Sequence, residues 1–114
     1  MRRNRAQYLR LREVARALAH GRIARFNALY QFPVGRISIK NHKSRWGSCS
    51  SKGNLNFNYK IALLPPEVAD YIIVHELCHL AEFNHSPKFW ALVSKALPNH
   101  LALRQTLRRI ERTK

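Results

Sequence analysis

Three observations predict an α+β fold for this 114-residue chain. Apolar residues recur at three- and four-residue spacing near the N-terminus, alternate through residues 36–59, and return to helical spacing afterwards. Elements that run helix, strands, helices without interleaving segregate into one small sheet with helices beside it. A chain of this length with 46% apolar residues fills one core, so a single domain over residues 1–114 is expected.

From Gln7 to His20, the residues Tyr8, Leu11, Val14, Ala15 and Leu18 form a stripe, with Arg10, Arg12 and Arg16 mostly off it. This predicts an amphipathic helix over about 7–20 that ends near Gly21. Ile23 to Tyr30 reads as a second short helix, broken at Phe32-Pro33 because the residue before proline is driven out of the α region. Arg36-Ile37-Ser38-Ile39-Lys40 alternates as a half-buried strand does, Trp46-Gly47-Ser48-Cys49 forms a second strand, and Asn54 to Tyr59 a third. Pro65-Pro66-Glu67 opens a helix expected over about 66–83, with proline in the first turn and an acid near the positive end of the dipole. Its body is apolar on most sides and is therefore expected to be buried. Ser86-Pro87 reads as the cap and first residue of another helix. Pro98-Asn99 separates this helix from a basic one carrying Leu101, Leu103, Leu107 and Ile110, the pair spanning about 87–112.

The net charge of +15 is unevenly spread. Residues 1–45 hold 12 basic residues and one acid, Glu13. Residues 46–100 balance four lysines against Glu67, Asp70, Glu76 and Glu82, and residues 101–114 set five basic residues against Glu111. A neutral centre between cationic flanks attracts anions without being defined by them. No run is long and apolar enough to span a membrane. The segment after the basic Met1–Arg5 stretch alternates Leu and Arg where a secretory leader would be uniformly apolar. Cys49 and Cys78 are too few for a disulfide scaffold. A cytoplasmic protein with free thiols and no membrane partner is expected.

The neutral centre contains His75-Glu76-Leu77-Cys78-His79, an H-E-x-x-H motif. Residues four apart lie about 40° apart around a helix, so both imidazoles project toward one point, where Zn²⁺ can sit. Glu76 is one step round, able to exchange a proton with a water there without ligating the ion. Two histidines and a glutamate buried without a metal would each need a polar partner, a costly arrangement. A catalytic zinc takes a third protein ligand and keeps one position open. His85 qualifies if the helix ends or turns first, since on a continuous helix it would point about 80° away from His75. Asn84 and the cap at Ser86-Pro87 supply such a break. Glu82 is the rival: at i+7 from His75 it shares the metal-facing side of an unbroken helix, but it would have to reach almost a turn past His79. The spacing favours His85, with Glu82 as a supporting or solvent-facing carboxylate. The longer pattern H-E-x-x-H-x-x-G-x-x-H with a following Met-turn is not met, because Glu82 stands at its glycine and the only methionine is Met1.

Four linked stretches carry a more specific signal: Arg45-Trp46-Gly47-Ser48-Cys49-Ser50, Gly53 to Asn58, Tyr71 to Leu80, and Asn84 to Trp90. Together, over roughly residues 36–110, they resemble the YgjP-like metallopeptidases, zincins related to the SprT and WLM groups. The resemblance implies a compact minimal zincin, with a short antiparallel sheet packed on the active-site helix. It also implies one Zn²⁺ per chain on His75, His79 and His85, with Glu76 as general base. Family members often carry a further N-terminal region, so the resemblance is expected to cover the catalytic core. SprT-like relatives add a zinc ribbon that two cysteines cannot build.

Other residues have blander explanations. Trp46 and Trp90 are expected to pack in the core, Cys78 to be a buried thiol turned away from the histidines, and Cys49 to be structural. His20, His42 and His100 lack ligand spacing and are expected at the surface. Arg45 and Tyr59 are candidate transition-state stabilisers, since a cationic or phenolic donor near the oxyanion is a common need of such chemistry. Either edge strand, 36–40 or 47–49, could receive an extended peptide. The expected activity is therefore zinc-dependent peptide hydrolysis. The alternative is a nucleic-acid-binding module or DNA-associated protease using the basic flanks, which the resemblance to SprT-like proteins also suggests. Arginines on solvated helix faces would account for part of the charge with no partner at all.

Overall fold

A computed structural model describes residues 4–113. It contains α1 (Arg5–Tyr30), β1 (Ile37–Lys40), β2 (Gly47–Cys49), β3 (Leu55–Asn58), a short 3₁₀ helix (Tyr59–Leu63), α2 (Pro66–Cys78), α3 (Pro87–Ala96) and α4 (His100–Arg112). The order is the predicted one, and the class is α+β.

The two expected N-terminal helices are one. Asn4 caps α1 by accepting a hydrogen bond from the Gln7 amide at 3.0 Å, and the helix runs through Gly21 to Tyr30. Glycine inside a helix costs about 1 kcal/mol relative to alanine. Here the apolar stripe continues through Ala15, Ala19 and Ile23, all buried, and that packing outweighs the cost. The two alanines let α1 lie closely along the 3₁₀ helix and α2. Tyr59 of the 3₁₀ helix is fully buried and donates its hydroxyl hydrogen to Gln7 Oε1 at 2.7 Å. Arg22 pairs with Asp70 of α2 at 3.2 Å, fixing the crossing.

The sheet has the order β1-β3-β2 and is mixed. β2 pairs antiparallel with β3 through a turn in which Gly53 takes φ +83°, whereas β1 pairs parallel with β3. The expected antiparallel arrangement thus holds for one of the two ladders. The parallel ladder arises because the chain makes a long return through residues 41–46 before β2 begins. Asn58 holds this return by donating from Nδ2 to the carbonyls of His42 (2.9 Å) and Arg45 (3.0 Å).

α2 is the central element, buried along most of its length. Ile72, Ile73 and Leu77 join Leu55, Phe57, Ile61 and Ile23 in the main core. On its other side, Val74 and Cys78 pack with Phe89 and Val93 of α3. The Tyr30 hydroxyl donates to the Leu92 carbonyl at 2.5 Å and ties α1 to α3. Among the described residues, no helix is long and apolar enough to cross a membrane.

Candidate metal centre

α2 stops at Cys78, five residues short of the expected end, and its last amides turn inward: His79 N–H bonds Glu76 O and Leu80 N–H bonds Leu77 O. This tightening reverses the chain. Ser86 then caps α3 by accepting from the Phe89 amide at 3.3 Å, which sets His85 just ahead of the new helix. Half-buried His75 on α2, buried His79 at its C-cap and exposed His85 in the loop thereby face each other.

His75 and His79 Nε2 lie 3.3 Å apart, His79 and His85 Nε2 3.1 Å, and His85 and His75 Nε2 3.2 Å. Tetrahedral zinc with bonds of about 2.0–2.1 Å places its nitrogen ligands about 3.3–3.4 Å from one another. One proton can bridge one pair of these nitrogens but not three converging lone pairs, whereas a single cation serves all three. The donor set therefore fits a zinc ion. His79 Nδ1 lies 2.9 Å from the Glu82 carbonyl, which can only accept, so Nδ1 carries the hydrogen and the Nε2 lone pair faces the centre. Burial pushes His79 below its ordinary pKa, opposed by this bond. Burial, then the neighbouring imidazoles His79 and His85, then Arg104, hold His75 down at about 3. Both of these imidazoles are thus neutral near pH 7, as ligands must be.

α3 supplies an aromatic backing. Phe89 stacks on His79 (4.4 Å, 22°), and Trp90 lies beside His75 (5.9 Å) and His85 (5.8 Å). His100 stacks in turn on Trp90 (5.4 Å, 14°), so it is half-buried against the site rather than free on the surface.

Glu76 is 8% exposed, and burial raises its carboxyl from 4.5 to about 7, with Arg45 acting in the opposite direction. The carboxylate packs on Gly47: a Cβ there would stand 2.9 Å from Glu76 Cγ and 3.2 Å from Glu76 Oε2. Glycine is therefore a requirement of close approach at this position. The same Cβ would stand 3.1 Å from the Asn56 carbonyl of β3, so Gly47→Ala is expected to displace Glu76 with a small shift of the β2–β3 ladder, lowering kcat by about tenfold with a smaller change in KM. Steady-state kinetics together with zinc content check this.

A cleft of about 220 Å³ opens beside Glu76 and His75, lined by Trp46, Tyr71, Arg104 and Arg108 among others. Trp46 packs against the main core as expected and also lines the cleft, and its Nε1–H donates to Glu111 Oε2 of α4 at 2.8 Å. Of the sequence candidates, His75, His79, His85 and Glu76 come together, and Arg45 is close enough to act on Glu76. Tyr59 does not: its hydroxyl is committed to Gln7 beneath α1. Glu82 contributes its backbone carbonyl, while its carboxylate accepts from Ser86 Oγ at 3.4 Å. Cys78 is buried behind the centre and Cys49 is half-buried on β2. The sequence reading missed Gly47, Tyr71, Arg104 and Arg108. Tyr71 carried a signal, standing one turn before His75 on the same helical face.

A sequence-family model for the YgjP-like metallopeptidase domain matches residues 2–110, and so includes α1 as well as the later motifs. Among solved structures, the metallopeptidase zymogen abylysin of Pyrococcus abyssi is similar with a TM-score of 0.65 and 26% identity. That alignment covers 82% of this chain and 90% of abylysin. The zymogen jannalysin of Methanocaldococcus jannaschii has a TM-score of 0.64 over 88% of this chain and 97% of its own, and at 23% identity shows likeness of fold. No curated protein sequence matches.

Proposed function

The chain belongs to the YgjP-like metallopeptidase family, and from that premise we propose that it hydrolyses peptide bonds with a zinc ion on His75, His79 and His85 and with Glu76 as general base. The observation that carries this reading is the convergence of three imidazole nitrogens at 3.1–3.3 Å beside a buried carboxylate that lines a cleft. When bound, the ion would supply Lewis-acid polarisation of the scissile carbonyl and of the attacking water. The protein supplies the rest. Glu76, held against Gly47 and raised toward neutrality by burial, takes a proton from the water and returns it to the departing amine nitrogen. Arg45 favours the ionised form that this requires. β2 is an edge strand whose first residue, Gly47, lines the cleft, so an extended substrate backbone can lie along Gly47–Cys49. The nucleic-acid alternative is supported by charge alone, including the exposed Arg5, Arg10, Arg12 and Arg25 along α1.

The test is cleavage of an unstructured protein by the purified chain. Activity is expected with one zinc per chain, lost on chelation and restored by equimolar zinc. Stoichiometric zinc with no cleavage of any peptide would set the reading aside.

A further inference from the structure

The cleft beside Glu76 has a charge asymmetry that the proposed reaction does not use. Its lining joins Tyr71, Ile72 and Glu76 of α2, Trp46 and Gly47 at the start of β2, and Arg104, Leu107 and Arg108 of α4. Being four residues apart, the two arginines are neighbours on one face of α4 and repel each other. Among the described residues, no carboxylate forms an ion pair with Arg104 or Arg108, whereas Arg12 and Arg16 pair with Glu13 and Arg22 with Asp70. Glu111 shares the cleft, but its Oε2 accepts from Trp46. Solubility accounts for exposed arginines such as Arg109 and Arg112; Arg108 is also exposed but lines the cleft. Solubility does not account for Arg104, which is half-buried with its guanidinium 5.7 Å from the Trp90 ring, the same ring that backs His75 and His85. Arg108 also borders a second cavity with Gln105, Arg109 and Arg112, so the positive field extends outward from the cleft.

We infer that this cleft receives an acidic side chain of the substrate, a glutamate or aspartate next to the scissile bond, with Arg104 and Arg108 as the residues that select it. The inference rests on the peptidase reading above and names its substrate class. Two guanidinium forks on one wall match a carboxylate's paired oxygens. Glu76 and Glu111, which also line the cleft, repel a carboxylate and leave the two guanidinium groups as its partners. The apolar side chains of Ile72 and Leu107 and the indole of Trp46 accommodate the methylene stem.

The experiment uses matched peptides with glutamate, glutamine or lysine flanking the cleaved bond. Binding is measured by anisotropy on zinc-loaded Glu76→Gln protein, and cleavage on zinc-loaded wild type. The glutamate peptide is expected to bind about tenfold tighter than the glutamine peptide and to be cleaved with about tenfold higher kcat/KM, the scale of one good charge-assisted contact. Arg104→Gln and Arg108→Gln each reduce this preference to about threefold, and Arg108→Glu shifts it toward the lysine peptide. Lys52→Glu, in the exposed β2–β3 turn, removes the same charge as Arg108→Glu and leaves the preference unchanged. Equal cleavage of all three peptides overturns the inference while the peptidase reading stands. A glutamate preference in binding without cleavage of any peptide overturns the peptidase reading and leaves the selective cleft. A preference that falls equally with Lys52→Glu reduces the effect to net charge and overturns the inference. An oligonucleotide that displaces the glutamate peptide and itself depends on Arg104 and Arg108 reassigns the wall to nucleic acid, with the same result.

Discussion

Glu76→Gln is expected to lower kcat/KM by about 10²–10⁴ while the protein keeps its zinc. Glutamine matches glutamate in size, so the contact with Gly47 and the burial are preserved, but the amide accepts no proton. The same variant has a stability signature in metal-free protein. The folded carboxyl titrates near 7 against an ordinary 4.5. Between those values the folded state retains a proton that the unfolded chain has lost, so stability falls as pH rises through that window, and the cost is complete above about pH 7. Metal-free Glu76→Gln should therefore be more stable than wild type at pH 8, by up to about 3 kcal/mol, with the gap closing near pH 4.5. His75 acts in the opposite sense, with stability lost as pH falls below its ordinary 6.5 toward 3, but equally in both proteins. Denaturant melts of chelated protein at pH 5 and pH 8 read the difference. Full activity in a zinc-loaded Glu76→Gln protein would remove the glutamate from the mechanism.

The second large effect concerns the ligands. His79→Ala and His85→Ala are each expected to weaken zinc binding by more than about a hundredfold, beyond the 10–100-fold typical of losing a residue that merely orients a ligand. Activity at limiting zinc should vanish in both. Their metal-free stabilities should diverge. His79 is 9% exposed, stacked on Phe89 and bonded to the Glu82 carbonyl, so its truncation leaves a cavity and an unpaired carbonyl costing about 2–4 kcal/mol. His85 is exposed, and its loss should cost about 0.5 kcal/mol or less. Competitive chelator titration and melts of the chelated variants separate the two quantities. Equal destabilisation by both would contradict the buried and exposed roles assigned here.

Much of this architecture was legible because local chemistry fixed it. Ser86-Pro87 and Pro66 define helix starts whatever surrounds them, and the alternation at Ile37–Lys40 and Leu55–Asn58 marks strands at once. The fourfold spacing of His75 and His79, with a break before His85, was enough to assemble the three imidazoles. What was not legible depended on partners distant in sequence. Gly21 looked like a helix end because its neighbours could not show that Ala15, Ala19 and Ile23 would share one buried stripe. The parallel direction of β1 depends on a return loop pinned by Asn58 through bonds that no periodicity encodes. Tyr59 looked like a donor for catalysis because its residue type suits the task, yet it faces Gln7, 52 residues earlier in the chain. Arg104 and Arg108 were read as charge on a basic helix, since only the docking of α4 on α2 brings them to Glu76.

The chain contains two tryptophans. Trp46 stands on the cleft wall and Trp90 against the imidazole cluster, each within the reach of what binds there. Near-ultraviolet emission from the unlabelled protein therefore carries no background from remote indoles. A change in emission on metal binding therefore arises at Trp90, and one on occupation of the cleft arises at Trp46 and, through Arg104, at Trp90, so both binding events are readable without a label.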